Sequence, residues 1–159
     1  MTRPPRGVGP ILLIVAWFSL VSALIGFVGL AFFGGMGVPP EWIEGSVFTS
    51  YVWPGVILGV VVGGSQALAI AAHHGRLRLA WGLHAAAGLI MIIWIFVELA
   101  IMLEWSVLHG IYFASGLVQT VLAVVALGAW PVPFWGRAPF GSRASFDRSG
   151  RGASGKMAS

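Results

Sequence analysis

The chain has no cysteine among its 159 residues, so disulfides, thiolate metal sites, iron–sulfur clusters and cysteine nucleophiles are excluded together. It also has little charge. Only 9% of residues are Asp, Glu, Lys or Arg, against about 25% in an ordinary soluble domain. What fills the gap is apolar: 58% of the residues are hydrophobic, and the mean hydropathy is +0.91. Such a composition excludes disorder over most of the length and points to an integral membrane protein. The net charge of +4 and a pI near 10.8 would suggest a polyanionic partner if the charges were spread evenly. They are not.

A helix needs about 20 mainly apolar residues to cross about 30 Å of hydrocarbon. Four stretches meet that length, at about Ile11 to Phe33, Val52 to Ala72, Leu79 to Leu103 and Val107 to Trp130. Trp53-Pro54 suits the first turn of the second, and Pro131 and Pro133 stop the fourth. The first follows Arg3 and Arg6 as a cleavable signal would, but at 23 residues it is far longer than a signal core of about 7–15. We read it as a retained helix.

Every one of the nine basic residues lies before the first stretch, between the second and third, or after the fourth. The two other connections, about Gly34 to Tyr51 and Glu104 to Ser106, have none. By the positive-inside rule this places both termini in the cytoplasm of a cell-membrane protein. Short connections imply antiparallel neighbours, so the expected fold is all-α: one domain, residues 1–130, forming an integral membrane up-down-up-down four-helix bundle. Trp42, Tyr51, Trp53, Trp105 and Tyr112 fall near the outer boundary and Trp81, Trp130 and Trp135 near the inner one, as aromatic belts do.

Residues 131–159 change abruptly to Gly, Ser, Pro and five basic residues against Asp147. We expect a disordered cytoplasmic tail able to lie on anionic lipid. Nucleic acid is not an expected partner, since nothing folded accompanies the charge. The outer connection is too long for a turn; Pro39-Pro40-Glu41 reads as a helix start, and Trp42, Ile43 and Phe48 suit an interface.

Gly55, Gly59, Gly63, Ala67 and Ala71 recur every four residues along the second stretch, the pattern of a helix-packing stripe. The chain's own first helix, which offers Ser22 and Gly26 at the same spacing, or a second copy would fill it.

Ionisable groups inside a span are costly, and each is a functional candidate. Glu98 is the one acidic residue within a span, about 9 Å inside Glu104. His84 lies 14 residues earlier, about 40° away around the helix and about 21 Å along it. On the fourth helix His109 falls at the depth of Glu98, so a carboxylate–imidazole pair is expected there; Tyr112 shares a face with Gln119. Haem between two histidines is disfavoured, because His84 lies inside the inner boundary, His73 and His74 at it and His109 at the opposite end. Adjacent His73 and His74 point about 100° apart and read as a positive flank beside Arg76. We therefore expect no metal and no cofactor. No P-loop, HExxH, nucleophile elbow or dinucleotide fingerprint occurs, so no enzymatic activity is expected.

The run PEWIEGSVFTSYVWPGVILGVVVGGSQALA from Pro40 to Ala69, with Trp94-Ile-Phe-Val-Glu98 and the Tyr112-Phe113 region, resembles small bacterial four-helix membrane proteins, mostly actinobacterial. The resemblance spans about Pro39 to Ala126 and implies the bundle. It carries no activity, cofactor or catalytic residue. Two functions compete: a non-enzymatic structural or accessory component, as a homo-oligomer or beside a larger membrane complex, and a small transporter or sensor with a proton- or ligand-binding site around Glu98 and His109, with Gln119 or Gln66 as further members.

Overall fold

The computed structural model describes residues 7–35 and 37–128, and all regular structure among them is helical. Helix α1 is Val8–Phe32, α2 is Val52–His74, α3 is Ala80–Met102 and α4 is Val107–Ala126, each long and apolar enough to cross a membrane. Arg3, Arg6 and the basic tail, with Trp130, Pro131 and Trp135, lie outside the described residues.

The ends of the helices follow backbone chemistry rather than hydropathy. Helix α1 starts three residues before the apolar run, because Pro10 sits in the first turn, where its missing N–H is not needed. Helix α4 stops at Ala126 and not at Trp130. Gly128 takes φ +71°, a left-handed conformation that costs glycine nothing, and its N–H bonds the Val125 carbonyl at 3.0 Å. The short connection from α3 to α4 begins with Leu103, a non-glycine residue also held left-handed at φ 53°.

Contacts between helices are set by small residues. Between α3 and α4, Gly88 and Gly116 face each other so closely that a Cβ built on Gly88 would stand 2.7 Å from the Gly116 carbonyl oxygen. One built on Gly116 would stand 2.9 Å from the Gly88 carbonyl. Between α1 and α2, a Cβ on Gly55 would meet Leu30 Cβ at 2.9 Å, and one on Gly59 would meet Phe27 Cγ at 2.7 Å. The first part of the expected stripe is thus filled by the chain's own α1. The second part is not: Ala67 and Ala71 are exposed. A repeat of four drifts about 40° per step around an α-helix, so five positions cannot hold one face. Within α2, Leu58–Gly63 is wound as a wider π-helix, where the drift is smaller. Gly59 and Gly63 lie in these wide turns, and the two alanines follow after the chain has returned to α.

The buried apolar residues form two clusters. One gathers Ala23, Val62, Met91, Trp94 and Ile95 from α1, α2 and α3; the other gathers Val8, Leu12, Ala123 and Ala126 from the start of α1 and the end of α4. The connection from α1 to α2 contains a single 3-10 turn, Pro40–Ile43. Ile43 is buried, the turn contacts α3, and the Tyr51 hydroxyl donates to the Pro39 carbonyl at 2.6 Å. Tyr51 is therefore an internal brace of this connection. Its burial and the neighbouring Glu41 carboxylate both push its hydroxyl pKa above the ordinary 10.0.

Candidate functional site

The five polar residues singled out in the sequence separate into two groups about 20 Å apart, as the axial rise between His84 and Glu98 requires. Glu98 and His109 belong to one, with Tyr112 beside them; His84 and Gln119 belong to the other.

The Glu98 group forms where α3 ends and α4 begins. Only a few residues join the two helices, so equal depth follows from counting, and His109 Nε2 stands 3.9 Å from Glu98 Oε2. His109 is also held from behind. It is the third residue of α4, and its Nδ1 accepts the backbone N–H of Ser106 at 3.1 Å, with the Ser106 hydroxyl at 2.9 Å. The imidazole thus caps its own helix while presenting its other nitrogen to the carboxylate. Trp94, one turn before Glu98, is 5% exposed, and its indole N–H approaches the carboxylate without completing a hydrogen bond to it or to any other group. A buried donor left unmatched costs about 1–3 kcal/mol.

These side chains border a cavity of about 480 Å³ between α1, α2, α3 and α4. Its walls are mainly apolar, from Ile25, Leu58, Met91 and Ile95 among others. The π-helical turns of α2 contribute Leu58, which reaches over Gly26 of α1. Trp42 of the 3-10 turn and Tyr112, stacked on Phe18 at 5.9 Å, complete the wall with aromatic faces. Apolar walls with a few convergent polar groups are the usual make-up of a small-molecule site.

The second group is a chain of side-chain hydrogen bonds crossing three helices. Gln66 of α2 and Gln119 of α4 exchange amide bonds at 3.1 and 2.8 Å. Gln119 Nε2 also reaches His84 Nδ1 of α3 at 3.3 Å, and Gln66 Nε2 reaches the Ala87 carbonyl at 3.4 Å. From His84 the chain continues through Nε2 to His73 Nδ1 at 3.0 Å. Gln66, Gln119 and His84 are fully buried. Both N–H donors of each glutamine are used. The chain is a clamp between helices.

His73 corrects the expectation drawn from its position. It is not a positive flank at the boundary; it turns inward against His84 and the edge of Trp81, leaving His74 exposed. The depths of His73 and His84 therefore match, contrary to the spacing argument. Their nitrogens sit at hydrogen-bonding distance, 3.0 Å apart. Among the described residues no cluster of three or more His, Cys, Asp or Glu has metal-binding geometry.

Gln66, His73 and Trp94 are the members of these groups that reasoning on single residues passed over or left at the margin. Their signal lay in pairing across helices. Comparison of the chain with protein-family models, with curated proteins and with solved structures finds no match.

Proposed function

We propose that this chain is an integral protein of the cell membrane, built as an up-down-up-down bundle with both termini cytoplasmic. In this reading it binds a small amphipathic ligand in the cavity beside Glu98 without transforming it chemically, as a sensor or carrier does. The membrane reading is supported by the surface. Large apolar side chains such as Ile14, Val60, Leu68, Ile93 and Phe96 are all at least 60% exposed, a surface suited to lipid and not to water. The up-down arrangement is supported by which ends meet: Gly55 with Leu30, His73 with His84, Glu98 with His109. The orientation is supported by the segregation of all nine basic residues.

The observation that carries the ligand reading is the cavity itself, which places an acidic side chain, an imidazole and an unmatched indole donor on apolar walls. The competing reading, a structural or accessory component, drew on the small-residue stripe as a docking face. Gly55 and Gly59 are already occupied by α1, and only the exposed Ala67 and Ala71 remain for a second copy or a larger complex. Contact of the basic tail with anionic headgroups is a further part of the proposal, in residues beyond the described ones.

Two measurements test this. Because the chain has no cysteine, single substitutions report topology without background. Thr49→Cys should react with an impermeant maleimide in intact cells, and His74→Cys only after permeabilisation; the reverse pattern overturns the orientation. Native mass spectrometry of the protein extracted in lipid discs should show a small molecule at near-stoichiometric amount. That species should vanish in Ser22→Trp, which fills the cavity from its half-buried wall. An identical spectrum for the two proteins overturns the ligand reading.

A further inference from the structure

We infer that the ligand of this cavity is a lipophilic organic cation, held by the Glu98 carboxylate and the surrounding aromatic faces. The inference rests on the ligand-binding reading above and adds the chemical class.

The first step concerns His109, the group that would otherwise neutralise Glu98. Its Nδ1 is engaged by the Ser106 N–H at 3.1 Å and the Ser106 hydroxyl at 2.9 Å, while its Nε2 stands 3.9 Å from Glu98 Oε2, longer than a hydrogen bond. The ring thus leaves the Glu98 carboxylate without a direct hydrogen bond.

Among the described residues no Lys or Arg lines the cavity, and the sequence has none between Gly34 and Gly75 or between Leu79 and Gly128. The charges that adjoin the lining in sequence have the opposite sign: Glu41 precedes the lining Trp42, and Glu104 lies between the lining Met102 and Ser106, both glutamates exposed. Their field attracts cations and repels anions on approach.

The walls fit the same guest. Trp42, Trp94 and Tyr112 line the one compartment that also holds the carboxylate, and aromatic rings attract a cation that reaches their faces. Apart from Ser22, Ser106 and His109 the remaining walls are apolar, so the charge must be carried on an apolar body. A volume of about 480 Å³ admits one such molecule.

The test uses three probes of similar size and different charge: tetraphenylphosphonium, tetraphenylborate and neutral triphenylphosphine oxide. Each is titrated into the full chain in detergent and followed by calorimetry and tryptophan fluorescence. Tetraphenylphosphonium is expected to bind at least tenfold more tightly than either other probe. Glu98→Gln should weaken it at least tenfold, Glu98→Asp should retain part of the affinity, and Ser22→Trp should abolish binding. If the neutral probe binds as tightly as the cation and is displaced by Ser22→Trp, the cation assignment falls while the cavity stands as a binding site. Tight cation binding unchanged in Glu98→Gln also overturns the assignment. If none of the probes binds the wild-type protein, the cation assignment is refuted, and the mass spectra of extracted protein decide separately on the cavity.

Discussion

Replacing Gly88 with alanine tests the helix contact on which the bundle depends. The added methyl would stand 2.7 Å from the Gly116 carbonyl oxygen and 2.9 Å from the Thr120 nitrogen, whereas ordinary contact begins at 3.4 Å. The shortfall, about 0.7 Å at the tighter contact, is against backbone, which cannot swing away as a flexible side chain does. Helices α3 and α4 must move apart and loosen the packing around Met91 and Ile92, which border Gly116. Overpacking of this kind costs about 1–3 kcal/mol. The control is Gly82→Ala, on the same helix, where an added Cβ meets nothing within 4 Å. There alanine should gain about 0.5–1 kcal/mol from helix propensity. Reversible unfolding in mixed micelles, followed by far-ultraviolet circular dichroism, should therefore separate the two variants by about 1–3 kcal/mol, the overpacking cost alone, since the propensity gain is common to both and cancels. If Gly88→Ala falls within about 0.5 kcal/mol of Gly82→Ala, a spread much smaller than the overpacking cost, the close approach of the two helices is refuted.

The remaining predictions concern single contacts. Gly59→Leu should destabilise the chain in the same assay, since Phe27 already fills the space, whereas Gly63→Ala, whose nearest neighbour, Ala23 Cβ, stands at an ordinary 3.6 Å, should gain about 0.5–1 kcal/mol as Gly82→Ala does. Gln66→Leu should cost about 1–2 kcal/mol by leaving Gln119 half-satisfied, and the double change with Gln119→Leu should cost less than the two singles together. Leu103→Gly should stabilise by about 1 kcal/mol by relieving the left-handed backbone; an unchanged melting temperature would count against that strain. Because burial and Glu41 raise the Tyr51 pKa, its contribution is fully present below pH 10.0 and is lost as the pH rises through the folded-state value. Tyr51→Phe should remove that alkaline loss, together with about 1 kcal/mol from the bond to Pro39.

The four helices could be read from hydropathy because apolar runs of that length have few alternatives. Most of their ends could be read too, within three residues; the exception is the end of α4, where Gly128 leaves the right-handed region inside a run that stays apolar to Trp130. The Glu98–His109 pairing was legible for a simple reason: a connection of a few residues leaves no freedom in relative depth. The meeting of His73 with His84 was not, because it depends on how the turn after α2 lays one helix across the next, and face-counting within one helix does not contain that. The cavity was invisible for a similar reason. Its volume is what four helices and Trp42 fail to fill, a property of no single segment.

One backbone carbonyl has a reach that extends across three helices. The Ala87 oxygen can only accept, so Gln66 must turn its nitrogen toward it and its own oxygen toward Gln119. Gln119 then has its nitrogen left to offer His84, whose Nδ1 must be bare and whose Nε2 must carry the hydrogen passed to His73 Nδ1. The amide orientations and ring tautomers thus form one ordered sequence with a single sense. In that sequence neither ring of the His73–His84 pair keeps an unused basic nitrogen, so an incoming proton finds no seat unless a bond is first given up. Two histidines in the interior, which on composition alone would suggest a proton relay, are arranged as a closed circuit.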